Sequence, residues 1–195
     1  MKNEVVIVDY GVGNVQSIRF ALNRLGWEGV LTSDVTTIKN AKHVIFPGVG
    51  HAEVAAKQLR ASGLDQVLKQ LTQPVLGICL GMQLMCTSSE EGDTKGLGLF
   101  DLEIKRFDSG LKVPCVGWNK LEDLKSPLFA GLEAQNHVYF VHSYYAPLSA
   151  QTIAVANYGQ SYSAALQNDN FFAVQFHPER SGEVGERILK NFLNL

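Results

Sequence analysis

The chain has 195 residues, of which 46% are hydrophobic and 18% charged, and its formal net charge is −2. This length predicts one domain over residues 1–195, with enough apolar side chains for a sizeable core. The near-neutral charge excludes the basic surface that nucleic-acid-binding proteins use, and no apolar run approaches the ~20 residues of a membrane span. The short apolar stretch near the N-terminus does not fit a signal peptide. We therefore expect a cytoplasmic protein that binds neither nucleic acid nor membrane.

Cofactor and metal sites are not expected from the sequence. The cysteines are Cys79, Cys86 and Cys115, and none belongs to a C-x-x-C pair, so neither a disulfide framework nor a zinc site is predicted. The turn Gly11-Val12-Gly13-Asn14 resembles the start of a dinucleotide fingerprint, but Gln16 stands where the third glycine would be needed.

The first half of the chain alternates short apolar runs with segments of helical spacing. Strands are predicted at Val5–Val8, Val44–Phe46 and Val75–Ile78, and helices after the turn at Asn14, over Ala52–Ala61 and from Leu80 to Met85. Alternating strands and helices are typical of an α/β fold. We expect a mostly parallel central sheet with helices on both faces.

The second half is richer in predicted strands. Residues Ser88–Lys95 are polar and are predicted to form an exposed loop, and Val184–Leu195 a closing helix. The predicted strands between them are Leu99–Phe107, Val113–Trp118, Val138–Tyr145, Ile153–Asn157 and Phe171–Phe176. Such a β-rich half favours an antiparallel extension of the sheet.

The segment Gly77-Ile78-Cys79-Leu80-Gly81 lies between a predicted strand and a predicted helix. This is the thiol form of a nucleophile elbow, a turn so tight that side chains two residues either side of the nucleophile would clash. The N-terminus of a helix favours the thiolate form of Cys79, and the Leu80 N–H would face a developing oxyanion. The alternative is a buried cysteine between two incidental glycines.

A base and its orienting group are predicted at His177-Pro178-Glu179, directly after the strand Phe171–Phe176. In extended chain His177 and Glu179 point the same way, so the carboxylate can hold one imidazole nitrogen while the other faces Cys79. Alone, His-Pro-Glu also fits a surface turn. The other histidines, predicted to be structural, are His43, His51, His137 and His142.

The segment Gly77–Gln83, taken with His177-Pro178-Glu179, resembles the class I, triad-type glutamine amidotransferases. Three further segments are similar to the glutaminase subunit of imidazole glycerol phosphate synthase, an enzyme of histidine biosynthesis: Asp9–Asn14, Pro47–Gly50 and Gly117–Asn119. The resemblance runs from Val5 to the C-terminus. It implies hydrolysis of L-glutamine to glutamate and ammonia by a Cys-His-Glu triad without a cofactor.

The resemblance also implies a role for residues outside the triad. The second oxyanion donor would come from the loop at Val49, and the substrate would lie beside Gly50. Substrate-binding roles are implied for Gln83, for Glu91 as partner of the α-ammonium group, and for the backbone of Ser143 and Tyr144. Gln83 and Glu91 could also be solvated surface residues, and Ser143 an ordinary strand residue.

A partner subunit is implied as well, namely a (β/α)₈-barrel cyclase that receives the ammonia within a heterodimer. The residues expected near that interface are Asn14, Trp118, Asn119, Tyr139 and Arg180. Three alternatives remain. These are a paralogous glutaminase subunit that feeds another synthase, such as one of a surface-sugar pathway, a non-catalytic regulatory subunit, and a cysteine hydrolase acting on peptides.

Overall fold

A computed structural model describes residues 3–11, 13–108 and 110–195 of the chain. Met1, Lys2 and Val12 are outside the described residues, so the expectations for the first residues and for the Gly11–Asn14 turn are only partly covered. The helices are α1 (Val15–Arg24), α2 (Val35–Asn40), α3 (Ala52–Ala61), α4 (Leu64–Lys69), α5 (Leu80–Met85) and α6 (Gly182–Phe192). Short 3₁₀ turns occupy Pro127–Phe129 and Pro178–Arg180.

The strands, in chain order, are β1 (Glu4–Val8), β2 (Glu28–Thr32), β3 (Val44–Gly48), β4 (Val75–Cys79), β5 (Cys86–Ser89), β6 (Thr94–Lys95), β7 (Phe100–Arg106), β8 (Cys115–Lys120), β9 (His137–His142), β10 (Tyr144–Tyr145), β11 (Thr152–Asn157), β12 (Ser161–Asn168) and β13 (Phe171–Val174).

The central sheet has the strand order β11-β12-β13-β4-β3-β1-β2. Neighbouring strands from β13 to β2 pair in parallel, whereas β11, β12 and β13 pair antiparallel. The predicted α/β class, with a mostly parallel sheet and an antiparallel extension, is therefore confirmed. The carboxyl ends of β3, β4 and β13 meet at one edge of the sheet, where ligands bind in open α/β folds.

Two cores lie on the two faces of this sheet, because side chains of a strand alternate between faces. In β1, Val5 and Ile7 belong to the core beneath α1 and α6, whereas Val6 and Val8 belong to the core beneath α2, α3 and α4. Both cores are closed by helix stripes of period 3.6, such as Ile188, Leu189 and Phe192 of α6. No helix of the described residues is long and apolar enough to cross a membrane.

The prediction of an exposed loop over Ser88–Lys95 is wrong in part. β5 and β6 form an antiparallel hairpin there, in which Ser89 and Thr94 are buried. Their hydroxyl groups are satisfied inside the hairpin, because the Ser89 Oγ accepts from the Glu91 N–H at 3.1 Å and the Thr94 Oγ1 donates to the Glu91 carbonyl at 2.6 Å. Polar composition therefore did not imply exposure.

The predicted strand Val138–Tyr145 is interrupted at Ser143. Its first part, β9, pairs with β8, and its second part, β10, pairs with β7 in a different sheet. The Ser143 carbonyl accepts the Phe107 N–H at 3.2 Å. The chain thus changes pairing partners at a residue that also lines the cavity beside Cys79.

Candidate active site

Cys79 ends β4 and precedes α5 with φ 54° and ψ −110°. A non-glycine residue with positive φ costs ~1–3 kcal/mol and is held only by its surroundings. A Cβ on Gly81 would overlap the Phe46 carbonyl oxygen, and one on Gly77 would overlap the Met85 sulfur. The elbow therefore has the tight geometry that the two glycines predict.

The thiol lies at the edge of a cavity of about 290 Å³. Cys79 is 7% exposed, and its Sγ is 3.9 Å from the Val141 carbonyl oxygen and 3.8 Å from the Gln175 Nε2. The cavity volume is close to the lower end of the ~300–1,000 Å³ typical of small-molecule sites. A small ligand can therefore reach a sulfur that bulk solvent barely contacts.

His177 and Glu179 form the expected pair. Nδ1 of His177 is 2.7 Å from Oε1 of Glu179, and both side chains are buried. Because a carboxylate only accepts hydrogen bonds, this nitrogen carries a proton, and Nε2 is left for chemistry. Within the described residues Nε2 makes no hydrogen bond. Burial lowers the pKa of His177, but its interactions with Cys79 and Glu179 outweigh burial and raise the pKa to about 10.

Strand register sets the distance between nucleophile and base. β13 pairs in parallel with β4, with Ala173 opposite Gly77 and Val174 opposite Ile78. The segment that continues from β13 thus ends beside the elbow. A register slip of one residue would displace His177 by ~3.3 Å along the sheet.

The backbone around His177 is fixed by Ser181 and Tyr139. The His177 N–H donates to the Tyr139 carbonyl at 2.9 Å, and Ser181 Oγ donates to the His177 carbonyl at 2.6 Å. The same Oγ accepts the Tyr139 N–H at 3.0 Å. Ser181 is almost fully buried, so these bonds are shielded from water.

Most of the residues expected around the nucleophile line this one cavity. They are Val49, Gly50, Cys79, Leu80, Gln83, Glu91, Ser143, Tyr144 and His177. Asn14 and Arg180, which were expected at the partner interface, line the cavity as well. Glu179 is bonded to His177 and is not among the lining residues. The expected interface residues Trp118, Asn119 and Tyr139 are also outside the cavity lining.

The loop expected to supply the second oxyanion donor begins beside the nucleophile. Gly48 pairs with Cys79 in the sheet, and Val49 and Gly50 follow directly, Gly50 with φ +99°. The Tyr10 hydroxyl donates to the Pro47 carbonyl at 2.9 Å and anchors the start of this loop. Val49 and Gly50 of this loop and Leu80 of α5 thus border the same cavity as the thiol.

Glu91 reaches the cavity from the β5–β6 hairpin. Its Oε2 accepts the Ala52 N–H at 2.8 Å, at the N-terminus of the ten-residue helix α3. His51 caps the same helix by accepting the Glu53 N–H at 3.3 Å, which agrees with a structural role. Glu91 is therefore held by one carboxylate oxygen while its side chain borders the cavity.

The Tyr144 carbonyl accepts from two side chains. Nε2 of Gln83 is 3.2 Å away, and Nδ1 of His142 is 2.7 Å away. Nε2 of His142 is 3.3 Å from the Tyr162 hydroxyl, and burial, with a smaller contribution from His177, lowers the pKa of His142 to about 4. His142 is therefore neutral near pH 7 with both nitrogens occupied, as a structural histidine should be.

Exposed apolar side chains lie on β8, where Val116 pairs with the cavity-lining Val141 of β9. Val116 is 58% exposed and Trp118 57%, and the Trp118 ring packs edge-on against Tyr139 with centroids 6.2 Å apart. Asn119 differs from these side chains because its amide is hydrogen-bonded within the chain. Its Nδ2 donates to the Asn157 carbonyl and its Oδ1 accepts the Lys120 N–H. We call Val49, Val116, Trp118 and Tyr139 the apolar rim.

Gln175 was missed by the sequence analysis. It is the lone amide in the apolar run Phe171–Phe176, two residues before His177, and this pattern could have indicated it. Tyr10 and Ser181 were missed too, since nothing in their local sequence marks them. Among the described residues, no cluster of His, Cys, Asp and Glu could hold a metal ion.

Comparison with known proteins agrees with this geometry. Residues 6–195 match the family model for glutamine amidotransferase class-I. The imidazole glycerol phosphate synthase subunit HisH of Bacteroides fragilis (strain YCH46) is 55% identical over 195 residues, which covers 98% of this chain and 100% of the relative. The protein of the same name from Bacteroides thetaiotaomicron is 50% identical, with the same coverage.

A solved structure described as a glutamine amidotransferase is similar to this fold, with a TM-score of 0.75 and 21% identity over 97% of each chain. This likeness concerns the fold alone, whereas the sequence relatives extend over nearly the whole chain. The chain therefore belongs to the class-I glutamine amidotransferase family and, within it, to the imidazole glycerol phosphate synthase subunits called HisH.

Proposed function

We propose that this chain is the glutaminase subunit of imidazole glycerol phosphate synthase, and that it hydrolyses L-glutamine to glutamate and ammonia for a cyclase subunit in histidine biosynthesis. The observation that carries the proposal is a strained, barely exposed Cys79 thiol beside a carboxylate-held His177 in one small cavity. We propose a single domain over residues 1–195 and, from the sequence, a cytoplasmic location.

In the first half-reaction the Cys79 thiolate attacks the side-chain amide carbon of glutamine. The carbon–nitrogen bond then breaks, and protonated His177 gives its Nε2 proton to the leaving nitrogen, so that ammonia departs and a thioester remains. The raised pKa of His177 means that this acid is protonated at neutral pH. Glu179, bonded to Nδ1, stabilises the imidazolium.

In the second half-reaction the now neutral His177 takes a proton from water, which attacks the thioester carbon. The carbon–sulfur bond breaks, glutamate leaves, and the thiolate and imidazolium return. In both steps the oxyanion would accept from the N–H groups of Leu80 and the Val49 loop. Removing one such donor typically costs ~10²–10³-fold in rate.

Substrate recognition would use the charged and polar groups that border the cavity. The Glu91 carboxylate is suited to the α-ammonium group, because an ammonium needs an anionic acceptor. Gln83 and the backbone of Ser143 and Tyr144 would position the rest of the molecule, and Gly50 leaves room beside the thiol, since nothing lies within 4 Å of a Cβ built on it.

The proposed partner is a (β/α)₈-barrel cyclase, docked over the apolar rim so that ammonia passes from the cavity without meeting solvent. Three observations support this. The relatives are named as synthase subunits, the rim includes the cavity-lining Val49 and the partner of the cavity-lining Val141, and its exposed Trp118 is of the type enriched in interface cores. Asn14 and Arg180 line the cavity at an exposed position and would contact the partner as well.

The test is glutamate release from glutamine by the purified chain, alone and with the cyclase subunit and its ligand. We expect activity that the liganded cyclase stimulates and that Cys79→Ala abolishes. Cys115→Ser is the matched control, because Cys115 is another buried cysteine of the same core but is not a lining residue of the cavity.

Glutaminase activity that this cyclase does not stimulate would support the proposed chemistry but indicate another synthase as partner. Absence of glutamate under every condition would refute the proposed chemistry. Unchanged affinity for the cyclase in Trp118→Ala would refute docking over the apolar rim.

A further inference from the structure

Gln175 lies at the centre of a buried chain of amide groups that ends at the nucleophile. Its side chain is 0% exposed, Gln83 is 5% exposed and Cys79 7%. The Gln83 Nε2 is 3.0 Å from the Gln175 Oε1, and the Gln175 Nε2 is 3.8 Å from the Cys79 Sγ.

The orientation of both amides is fixed by a backbone carbonyl. The Tyr144 oxygen can only accept, so the nearby group of Gln83 must be its NH₂. The other hydrogen of that NH₂ points at the side chain of Gln175, which must therefore accept it with its carbonyl oxygen, Oε1. The NH₂ of Gln175 is thereby directed at the sulfur, and a flipped amide would bring two NH₂ groups face to face.

Burial makes this arrangement consequential. A donor aimed at an ionised acceptor forms a stronger hydrogen bond than one aimed at a neutral group, and the low dielectric of a buried site increases the difference. The sulfur is the atom whose charge changes during the proposed reaction. An N–H held against it in advance favours the charged form.

We propose that Gln175 is a positioning residue that donates a hydrogen bond to the Cys79 thiolate, with its polarity set by the Tyr144 carbonyl through Gln83. The inference rests on the proposed function, because it assigns Gln175 to the same nucleophile. Gln175 is distinct from the base, since the His177 pair is oriented by Glu179 and Ser181.

The experiment measures the rate at which iodoacetamide alkylates Cys79 as a function of pH, read from the Cys79 peptide by mass spectrometry. Fragment ions are needed to assign the label to Cys79, because Cys86 lies on the same tryptic peptide, whereas Cys115 lies on another. Gln175→Met keeps the length of the side chain and removes both amide groups. We expect its alkylation midpoint to move up by ~1 pH unit, which means about tenfold slower alkylation below the midpoint and an equal rate at high pH.

A carboxylate at the same place is the opposite perturbation, because it removes the donor and adds a negative charge. Gln175→Glu should therefore shift the midpoint further upward than Gln175→Met. The matched control is Gln167→Met, since Gln167 lies on the neighbouring strand β12 and its amide oxygen accepts from Ser126, away from the sulfur. Its midpoint should equal that of the unaltered chain.

If Gln175→Met does not fold, Gln83→Met replaces it, because this change breaks the chain one link away from the sulfur and should give a smaller shift in the same direction. A folded Gln175→Met with an unchanged midpoint would overturn the proposal, even if glutamate release fell. Alkylation needs no glutamine, so it decides the role of Gln175 whether or not the unaltered complex proves to be a glutaminase.

Discussion

Replacing Gly81 with alanine tests the elbow most directly. The new Cβ would overlap the Phe46 carbonyl oxygen and lie 3.1 Å from the Phe46 carbonyl carbon and 3.3 Å from that of Pro47. These are backbone atoms of β3, which cannot turn aside as a side chain can. Either α5 or the end of β3 must move by on the order of 1 Å, a displacement that can cost ~10²-fold in rate.

The expected cost in stability follows from overpacking. Extra methyl groups in a packed core typically cost ~1–3 kcal/mol, and a chain of this size loses about 2–4 °C in Tm for each kcal/mol. The Leu80 N–H, one residue before Gly81, moves with the helix. We therefore expect Gly81→Ala to lower kcat for glutamate release by ~10²-fold or more while Tm falls by several degrees.

The assay compares kcat, KM and Tm of Gly81→Ala with those of Gly110→Ala, whose Cβ would approach only Asp108 Oδ1, at 3.7 Å. The control should match the unaltered chain in all three values. Full activity and unchanged Tm in Gly81→Ala would refute the argument that close backbone packing holds the elbow.

Three further predictions concern the surroundings of the triad. Glu91→Gln keeps an acceptor for the Ala52 N–H but loses the negative charge, so KM for glutamine should rise by tenfold or more with little change in Tm. An unchanged KM would contradict the proposal that Glu91 binds the α-ammonium group. Ser181→Ala removes two buried hydrogen bonds and should lower the free energy of unfolding by ~1–3 kcal/mol. It should lower kcat while KM changes less, and an equally large rise in KM would indicate a role in substrate binding instead. His177 has a folded pKa raised to about 10 against an ordinary value near 6.5. Its contribution to stability should therefore be complete below pH ~6.5 and be lost as the pH rises towards 10. The measurement is the difference in Tm between the unaltered chain and His177→Gln as a function of pH. A difference that grows with pH would contradict the prediction.

The parts of the site that follow local rules could be predicted from the sequence. The elbow has its own signature in Gly77 and Gly81, and the His177–Glu179 spacing fixes a pair within one short segment. The sequence pattern also predicted α3 with the bounds that the structure shows, Ala52–Ala61. Each of these depends on residues within a few positions of one another.

The remaining parts depend on tertiary neighbours. β12 is an inner strand of the sheet that was not predicted. Residues such as Ser163 and Gln167 give it a polar sequence, although Ser163 is fully buried. The role proposed for Gln175 depends on its contacts with Gln83 and Cys79, which are 92 and 96 positions away in the sequence. Sequence spacing carries no information about such contacts.

The position of β13 in the sheet has a consequence for how the protein comes into being. This strand is synthesised after the other strands of the sheet, yet it lies between β4 and β12 near the middle of the sheet. The halves of the triad are thus joined by pairing between segments roughly half a chain length apart, which is slow to form because the loop that must close is long. A nascent or C-terminally truncated chain lacks both its base and the centre of its sheet, so incomplete copies cannot release ammonia into the cell.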